Sequence, residues 1–109
     1  MDISTTDHKR VTVVEVSGRI DSNTASEFDE TIQHLINSGN KNLVLYLSDV
    51  EFLSSAGLRT MVSARKAIQG SGEITLAKPS QRVVDTLEIA GLDVLFKTFP
   101  DRESAIGYY

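Results

Sequence analysis

Two adjacent serines, Ser54 and Ser55, are the residues of this chain best placed to do chemistry. They follow an apolar run and precede Gly57 and Leu58, where a helix is predicted to begin. Serine is a favoured N-cap residue, so one interpretation is that one of the pair caps this helix. The other is that an exposed serine at a helix start is a phosphorylation site, because free backbone N–H groups and the helix dipole would meet its phosphate. The two are compatible, since one serine can cap while the other is modified.

Catalytic, metal and nucleotide sites are poorly supported by the same sequence. A serine nucleophile needs a base within reach, but His8 falls in the first connection and His34 in the middle of the first predicted helix. Asp21, Asp49 and Glu51 could gather, yet no His or Cys accompanies them, so we predict a solvated acidic edge. No Gly-x-x-x-x-Gly-Lys loop is present. We therefore expect no catalytic residue, no metal and no cofactor, and predict that the protein is not an enzyme.

Composition narrows the class further. The chain has 109 residues, 40% hydrophobic and 24% charged, which predicts one globular domain over residues 1–109. It has no cysteine, which fits a reducing compartment, and its net charge of −4 with no run of more than two basic residues offers nucleic acid no footprint. The longest apolar run, residues 43–47, is far too short for a membrane span. We expect a cytoplasmic protein with neither a nucleic-acid nor a membrane partner.

The elements that must position the serines alternate along the chain. Alternating or continuous apolar runs predict strands at residues 3–6, 10–16, 43–47, 73–77 and 94–99. Capping residues and helical spacing predict helices at residues 21–39, 54–70, 79–91 and 101–109. Because each strand–helix–strand unit forces parallel pairing, the fold class is α/β, a small mixed sheet of four to five strands with about four helices.

This topology predicts where a site would form. In open parallel sheets, sites lie outside the carboxyl ends of the strands. Three predicted loops, residues 18–22, 48–55 and 78–80, therefore share one edge, and Asp21 is expected near Ser55. Asp21 is equally well interpreted as a simple helix cap or as a site residue.

Three blocks of the sequence resemble the STAS domains, in particular the bacterial anti-sigma factor antagonists. Residues 43–58 resemble the family's apolar strand and its Asp-Ser-Ser/Thr-Gly-Leu block at a helix start. Residues 18–25, Gly-Arg-Ile-Asp-Ser-Asn-Thr-Ala, resemble its Gly-x-Leu/Ile-Asp-x-x-Thr-Ala block. Residues 84–96 resemble its helix followed by Gly-Leu and a Leu-Phe strand. The resemblance covers nearly the whole chain and implies a single STAS-like domain.

The resemblance also implies a function. In that family, a serine of the Asp-Ser-Ser/Thr-Gly block is phosphorylated by the anti-sigma factor, a serine kinase with a histidine-kinase-like ATPase fold. The matching position is Ser55, with Ser54 as the alternative, and a serine phosphatase is a further implied partner. Ser54 stands where the family has Asp, and Ala56 replaces its second hydroxyl residue. The expected partner-binding residues are Asp21, Asn23, Ser54, Ser55, Gly57, Leu58 and Arg59.

Two further questions stay open at this point. The missing Asp favours an alternative, a STAS interaction module without phosphoregulation that serves as a scaffold or as a subunit of a transport system. A small domain with a free sheet edge is either a monomer or a dimer. Among the remaining side chains, we predict that Met61, Val62 and Ile68 are core, that the four phenylalanines are packing residues, and that Tyr108 and Tyr109 form a frayed end.

Overall fold

Five strands, taken in chain order, form one mixed sheet. The computed structural model describes all residues, 1–109, and the strands are β1 (Asp2–Asp7), β2 (Thr12–Ile20), β3 (Asn42–Leu53), β4 (Glu73–Ala77) and β5 (Lys97–Phe99). β1 pairs antiparallel with β2, and all other neighbours pair parallel. The helices are α1 (Ala25–Asn37), α2 (Ser55–Ile68), α3 (Gln81–Ile89) and α4 (Arg102–Gly107). The predicted α/β class and element order are confirmed.

One face of the sheet carries the main core. Apolar side chains at helical spacing give α1, α2 and α3 one buried stripe each, and these stripes pack on alternate residues of the central strands. Val14 and Val16 of β2 point into this core. The predicted core residues Met61 and Ile68 are buried, but Val62 is only half-buried and lines the outer surface of α2. The prediction for Val62 is therefore wrong, because α2 has no layer packed over that side.

The opposite face of the sheet is covered only by the short helix α4. Val11 and Val13 point to this side, whereas Val14 and Val16 point into the main core, so both faces of β2 are covered. The prediction of a frayed end is wrong. The Tyr109 hydroxyl lies 3.1 Å from the carbonyl oxygens of Leu43 and Glu73, and Tyr108 donates a hydrogen bond to the Glu73 carboxylate. The chain terminus is therefore anchored across β3 and β4.

Two predicted loops are largely strand. β2 runs on through Gly18, whose φ is +85°, to Ile20, and β3 runs on to Leu53. The two extensions pair with each other, with register shifts on either side of Ser17–Gly18. The sequence predicted loops here because both extensions contain polar residues. Those residues face solvent on one side of the ribbon, while Val50 and Leu53 are buried on the other. We call residues 17–20 with 49–53 the β2–β3 ribbon.

The last predicted strand is also shorter than expected. A 3₁₀ helix occupies Asp93–Leu95, and only Lys97–Phe99 pairs with β4. Of the four phenylalanines, Phe28 and Phe96 are buried, and the half-buried Phe99 packs against the apolar cluster beneath α4, as predicted. Phe52 is also half-buried. Phe52 therefore contributes to the surface at the end of the ribbon.

Candidate functional site

The start of α2 is joined directly to the end of the β2–β3 ribbon. The backbone N–H of Ser54 donates a 2.8 Å hydrogen bond to the carbonyl oxygen of Ile20. Ile20 is itself paired with Leu53 in the sheet. This bond brings Asp21, the next residue after β2, to the same edge as Ser55, as the topology predicted.

The two serines have different structural roles. Ser54 is the N-cap of α2, and its Oγ accepts a 3.2 Å hydrogen bond from the N–H of Gly57. Its carbonyl oxygen accepts from the N–H of Leu58. Ser55 is the first residue of the helix and is exposed. The N–H groups of Ser55 and Ala56 make no hydrogen bond within the chain, so they are free to meet an anion at this end of the helix.

Gly57 lies beneath this surface rather than on it. A Cβ atom at this position would stand 2.7 Å from Leu53 Cδ1 and 2.8 Å from Ile20 Cγ2. Both of those side chains are buried, so they have little room to move away. Gly57 therefore serves the site by letting the first turn of α2 approach the ribbon, and it has no side chain to offer a partner.

Asp21 organises the turn that precedes α1. Its Oδ1 accepts hydrogen bonds from the N–H groups of Asn23 at 2.9 Å and Thr24 at 3.2 Å. The Asn23 N–H in particular holds the pKa of the Asp21 carboxyl below its ordinary value, so the group is ionised at neutral pH. α1 begins after Thr24, whose side chain makes no capping bond, and the Asp21 carbonyl oxygen accepts a 2.9 Å hydrogen bond from the N–H of Ala25. Asp21 therefore caps the start of α1, as one of its two sequence interpretations held, and it does so from the edge that carries Ser55. Asn23 is exposed beside it.

A cation and an aromatic ring complete this edge, and sequence reasoning missed both. The guanidinium carbon of Arg19 lies 4.4 Å from the centroid of the Phe52 ring, and Arg19 Nε lies 3.7 Å from Asp21 Oδ2. Such a contact holds an arginine over an aromatic face by the electrostatic attraction of the ring quadrupole. If residues 48–53 had been predicted as a strand paired with β2, Phe52 would have been expected beside Arg19. The sequence predicted a loop there instead.

The remaining predicted residues lie on α2 and on the third predicted loop. Leu58 is half-buried and packs against the main core, while Arg59 is exposed and lines a cleft of about 690 Å³ formed by the outer side of α2 and the start of α1. In the third loop, Ser80 caps α3, and its Oγ donates a 2.7 Å hydrogen bond to the carbonyl oxygen of Val50. The three predicted segments therefore do share one edge of the sheet.

The histidines and the acidic residues do not form a catalytic or metal site at this edge of the sheet. His8 lines a depression at the opposite end of the sheet, and the exposed His34 lies towards the end of α1 that is remote from the serines. No group of three or more His, Asp or Glu side chains is arranged to hold a metal ion. None of the helices has the length and apolar character needed to cross a membrane.

A family model and the curated relatives of this chain point to the same protein family. The family model described as the STAS domain matches residues 2–105. Among curated proteins, the chain is 29% identical over 104 residues to the anti-sigma-F factor antagonist RsfB of Mycobacterium tuberculosis, covering 95% of this chain and 85% of RsfB.

Solved structures agree with that match. The crystal structure of an anti-sigma factor antagonist from Mycobacterium paratuberculosis superposes with a TM-score of 0.90 at 28% identity, covering 98% of this chain and 92% of that one. The unphosphorylated form of the antagonist SpoIIAA has a TM-score of 0.84 at 18% identity, covering 96% and 93%, and supports the fold alone.

Proposed function

Because the chain belongs to the STAS domain family, we propose that it is an anti-sigma factor antagonist regulated by phosphorylation of Ser55. Its partner in this proposal is an anti-sigma factor with a histidine-kinase-like ATPase fold, which is also the serine kinase. By binding that factor the protein would free a sigma factor, and so regulate transcription in the cytoplasm without touching nucleic acid. A serine phosphatase would reset the modified form.

The different roles of the two serines carry this proposal. The Ser54 hydroxyl accepts from the Gly57 N–H and holds the first turn of α2, whereas the Ser55 hydroxyl is exposed. A kinase can therefore reach Ser55 without disturbing the helix cap. The free N–H groups of Ser55 and Ala56 and the positive end of the α2 dipole favour the added phosphate.

Phosphorylation would act on the interface more than on the fold. The phosphate adds about −1.5 to −2 charges at neutral pH. The helix dipole offsets this within the protein by about 0.3–1 kcal/mol. At an interface, a buried and unpaired charge costs roughly 2–5 kcal/mol, so the partner would be released while the domain stays folded.

The surface proposed for the partner surrounds Ser55. On one side lies the turn of Asp21 and Asn23, fixed by the hydrogen bonds to the Asp21 carboxylate. On the other side lies the first turn of α2, with Leu58 half-buried and Arg59 exposed. Ser54 and Gly57 support this surface from below as cap and close-packing residue.

A binding role is also better supported than an enzymatic one. RsfB and the structure from Mycobacterium paratuberculosis are both described as anti-sigma factor antagonists, which is a regulatory role. Neither His8 nor His34 lies at the serine edge, so no imidazole base is available to activate Ser55.

The second candidate is a STAS interaction module that is not switched. The observation that favours it is Ser54, because this position holds a neutral capping residue where the anti-sigma factor antagonists have Asp. In that case the protein would bind its partner through the same edge, and Ser55 would stay unmodified.

Phosphate transfer to the purified protein tests the proposal. Each histidine-kinase-like anti-sigma factor of the host is incubated with the protein and ATP, and the adduct is located by peptide mass spectrometry. We expect one phosphate on Ser55, lost in Ser55→Ala and kept in Ser54→Ala. Phosphate found on Ser54 would make Ser54 the phosphorylation site instead of Ser55. Binding to the anti-sigma factor without phosphate transfer would favour the STAS module that is not regulated by phosphorylation.

A further inference from the structure

Two aliphatic side chains stand out on the surface of this protein. Ile89 in the last turn of α3 is 88% exposed, and Val94 in the 3₁₀ helix is 83% exposed. They differ in their surroundings. Ile89 lines a groove of about 380 Å³ together with Phe52, Leu58 and Ser55, whereas Val94 lies outside that groove.

The groove has the composition of an interface core. Its walls are formed by the end of β3, the start of α2 and the end of α3, and none of its lining residues is charged. Charged residues are depleted and aromatic residues enriched at the centres of protein interfaces. Here Phe52 supplies the aromatic ring, with the Arg19 guanidinium over one of its faces, and Ile89 and Ala90 supply exposed apolar surface on the α3 side.

The size of a stable interface requires the groove to be covered. A standard protein interface takes roughly 800 Å² from each partner, which corresponds to a round footprint about 16 Å in radius. The whole protein measures only 31 × 26 × 24 Å. Ser55 is itself part of the groove lining, so a footprint of this size centred on Ser55 includes Phe52 and Ile89.

We propose that the anti-sigma factor that covers Ser55 places an apolar surface into this groove, with Ile89 as the main apolar anchor on this protein. This inference rests on the proposed function and extends its surface onto α3. The surface expected from the sequence comprised the turn before α1, with Asp21 and Asn23, and the start of α2 as far as Arg59, and it did not reach α3. The phosphate switch at Ser55 then lies at the border between the apolar groove and the polar turn.

A matched pair of variants tests the proposal. Ile89→Gln and Val94→Gln each remove an equally exposed aliphatic side chain, and neither side chain is buried in the core. Binding to the purified anti-sigma factor that the unmodified protein recognises is measured by calorimetry. We expect Ile89→Gln to weaken binding at least tenfold, Val94→Gln to change it less than twofold, and Ile89→Leu to retain it. Thermal unfolding of the variants should coincide with that of the parent protein.

Three outcomes would overturn the inference. Equal effects of Ile89→Gln and Val94→Gln would do so while leaving the proposed function standing, provided that Ser55→Asp still abolishes binding. Self-association that Ile89→Gln removes would assign the groove to a second copy of the chain. Absence of binding by the parent protein to any such anti-sigma factor would overturn the proposed function, and this inference with it.

Discussion

The N–H of Ser54 donates a 2.8 Å hydrogen bond to the carbonyl oxygen of Ile20, so the first turn of α2 is anchored to the last residue of β2. The residues that follow on each side of this bond are Asp21 and Ser55. A parallel sheet alone would bring their loops to one edge, but this bond fixes which serine caps the helix. Ser54 is held by the sheet, and Ser55 is left as the exposed residue.

A negative charge at position 55 should prevent binding without unfolding the domain. We expect Ser55→Asp to weaken binding to the anti-sigma factor by roughly 30-fold to several thousand-fold, because an unpaired charge at the interface must lose its solvation. Its melting temperature should match that of the parent protein, since acidic groups are favourable at a helix N-terminus.

Ser38→Asp is the matched control for this experiment. It adds the same charge at the exposed C-cap of α1, where the helix dipole disfavours an acidic group, so the two variants are compared in binding and not in stability. Normal binding by Ser55→Asp, or equal losses in the two variants measured by calorimetry, would contradict the proposed switch.

Removing the cap of α2 should lower stability. Ser54→Ala deletes the oxygen that accepts from the Gly57 N–H, and we expect a loss of about 1 kcal/mol in the free energy of unfolding, measured by urea denaturation. Ser54→Asp should keep the cap and lose little. Ser55→Ala should cost less than about 0.5 kcal/mol, because Ser55 is exposed. If Ser55→Ala lost more stability than Ser54→Ala, Ser55 would be the helix cap and Ser54 the exposed serine proposed to accept the phosphate.

The close approach of α2 to the ribbon should make Gly57 intolerant of a methyl group. Gly57→Ala would place a Cβ within 2.8 Å of two buried side chains, and we expect a loss of about 1–3 kcal/mol. Gly107→Ala in α4 meets no atom within 4 Å and should be neutral or stabilising by up to about 1 kcal/mol. Chemical denaturation of both variants makes the comparison, and similar stabilities would show that Leu53 and Ile20 can move aside.

Alkaline pH should loosen the anchored chain end. Burial, as the main cause, raises the pKa of Tyr109 to about 12, against an ordinary value near 10. The folded state therefore holds this proton more tightly than the unfolded state. Its contribution to stability is complete below pH ~10 and is lost as the pH rises towards 12.

Tyr109→Phe removes this titration. We expect the variant to be less stable at pH 8, because hydrogen bonds to Leu43 and Glu73 are lost, but to lose less stability than the parent protein between pH ~10 and ~12. Urea denaturation at a series of pH values measures both effects. Parallel pH profiles for the two proteins would mean that the Tyr109 phenol does not resist ionisation in the folded state.

Much of the fold could be predicted from periodicity, because the apolar pattern reports directly which faces are buried. Val11 and Val13 alternate with Val14 and Val16 and so indicate a strand covered on both sides. The spacing from Phe28 to Leu35 indicates one helix face. The apolar pattern did not predict the β2–β3 ribbon. Residues 48–53 include polar side chains that face solvent, yet the strand continues through them.

The sequence by itself determined that a pair of serines opens a helix at the carboxyl edge of a parallel sheet, with Asp21 near it. Only the tertiary structure decided their separate roles, because the bond from Ser54 to Ile20 depends on how β2 ends against α2. The same holds for the anchored Tyr109 and for the groove beside Ile89. These features arise from contacts between segments far apart in the chain, which local spacing does not encode.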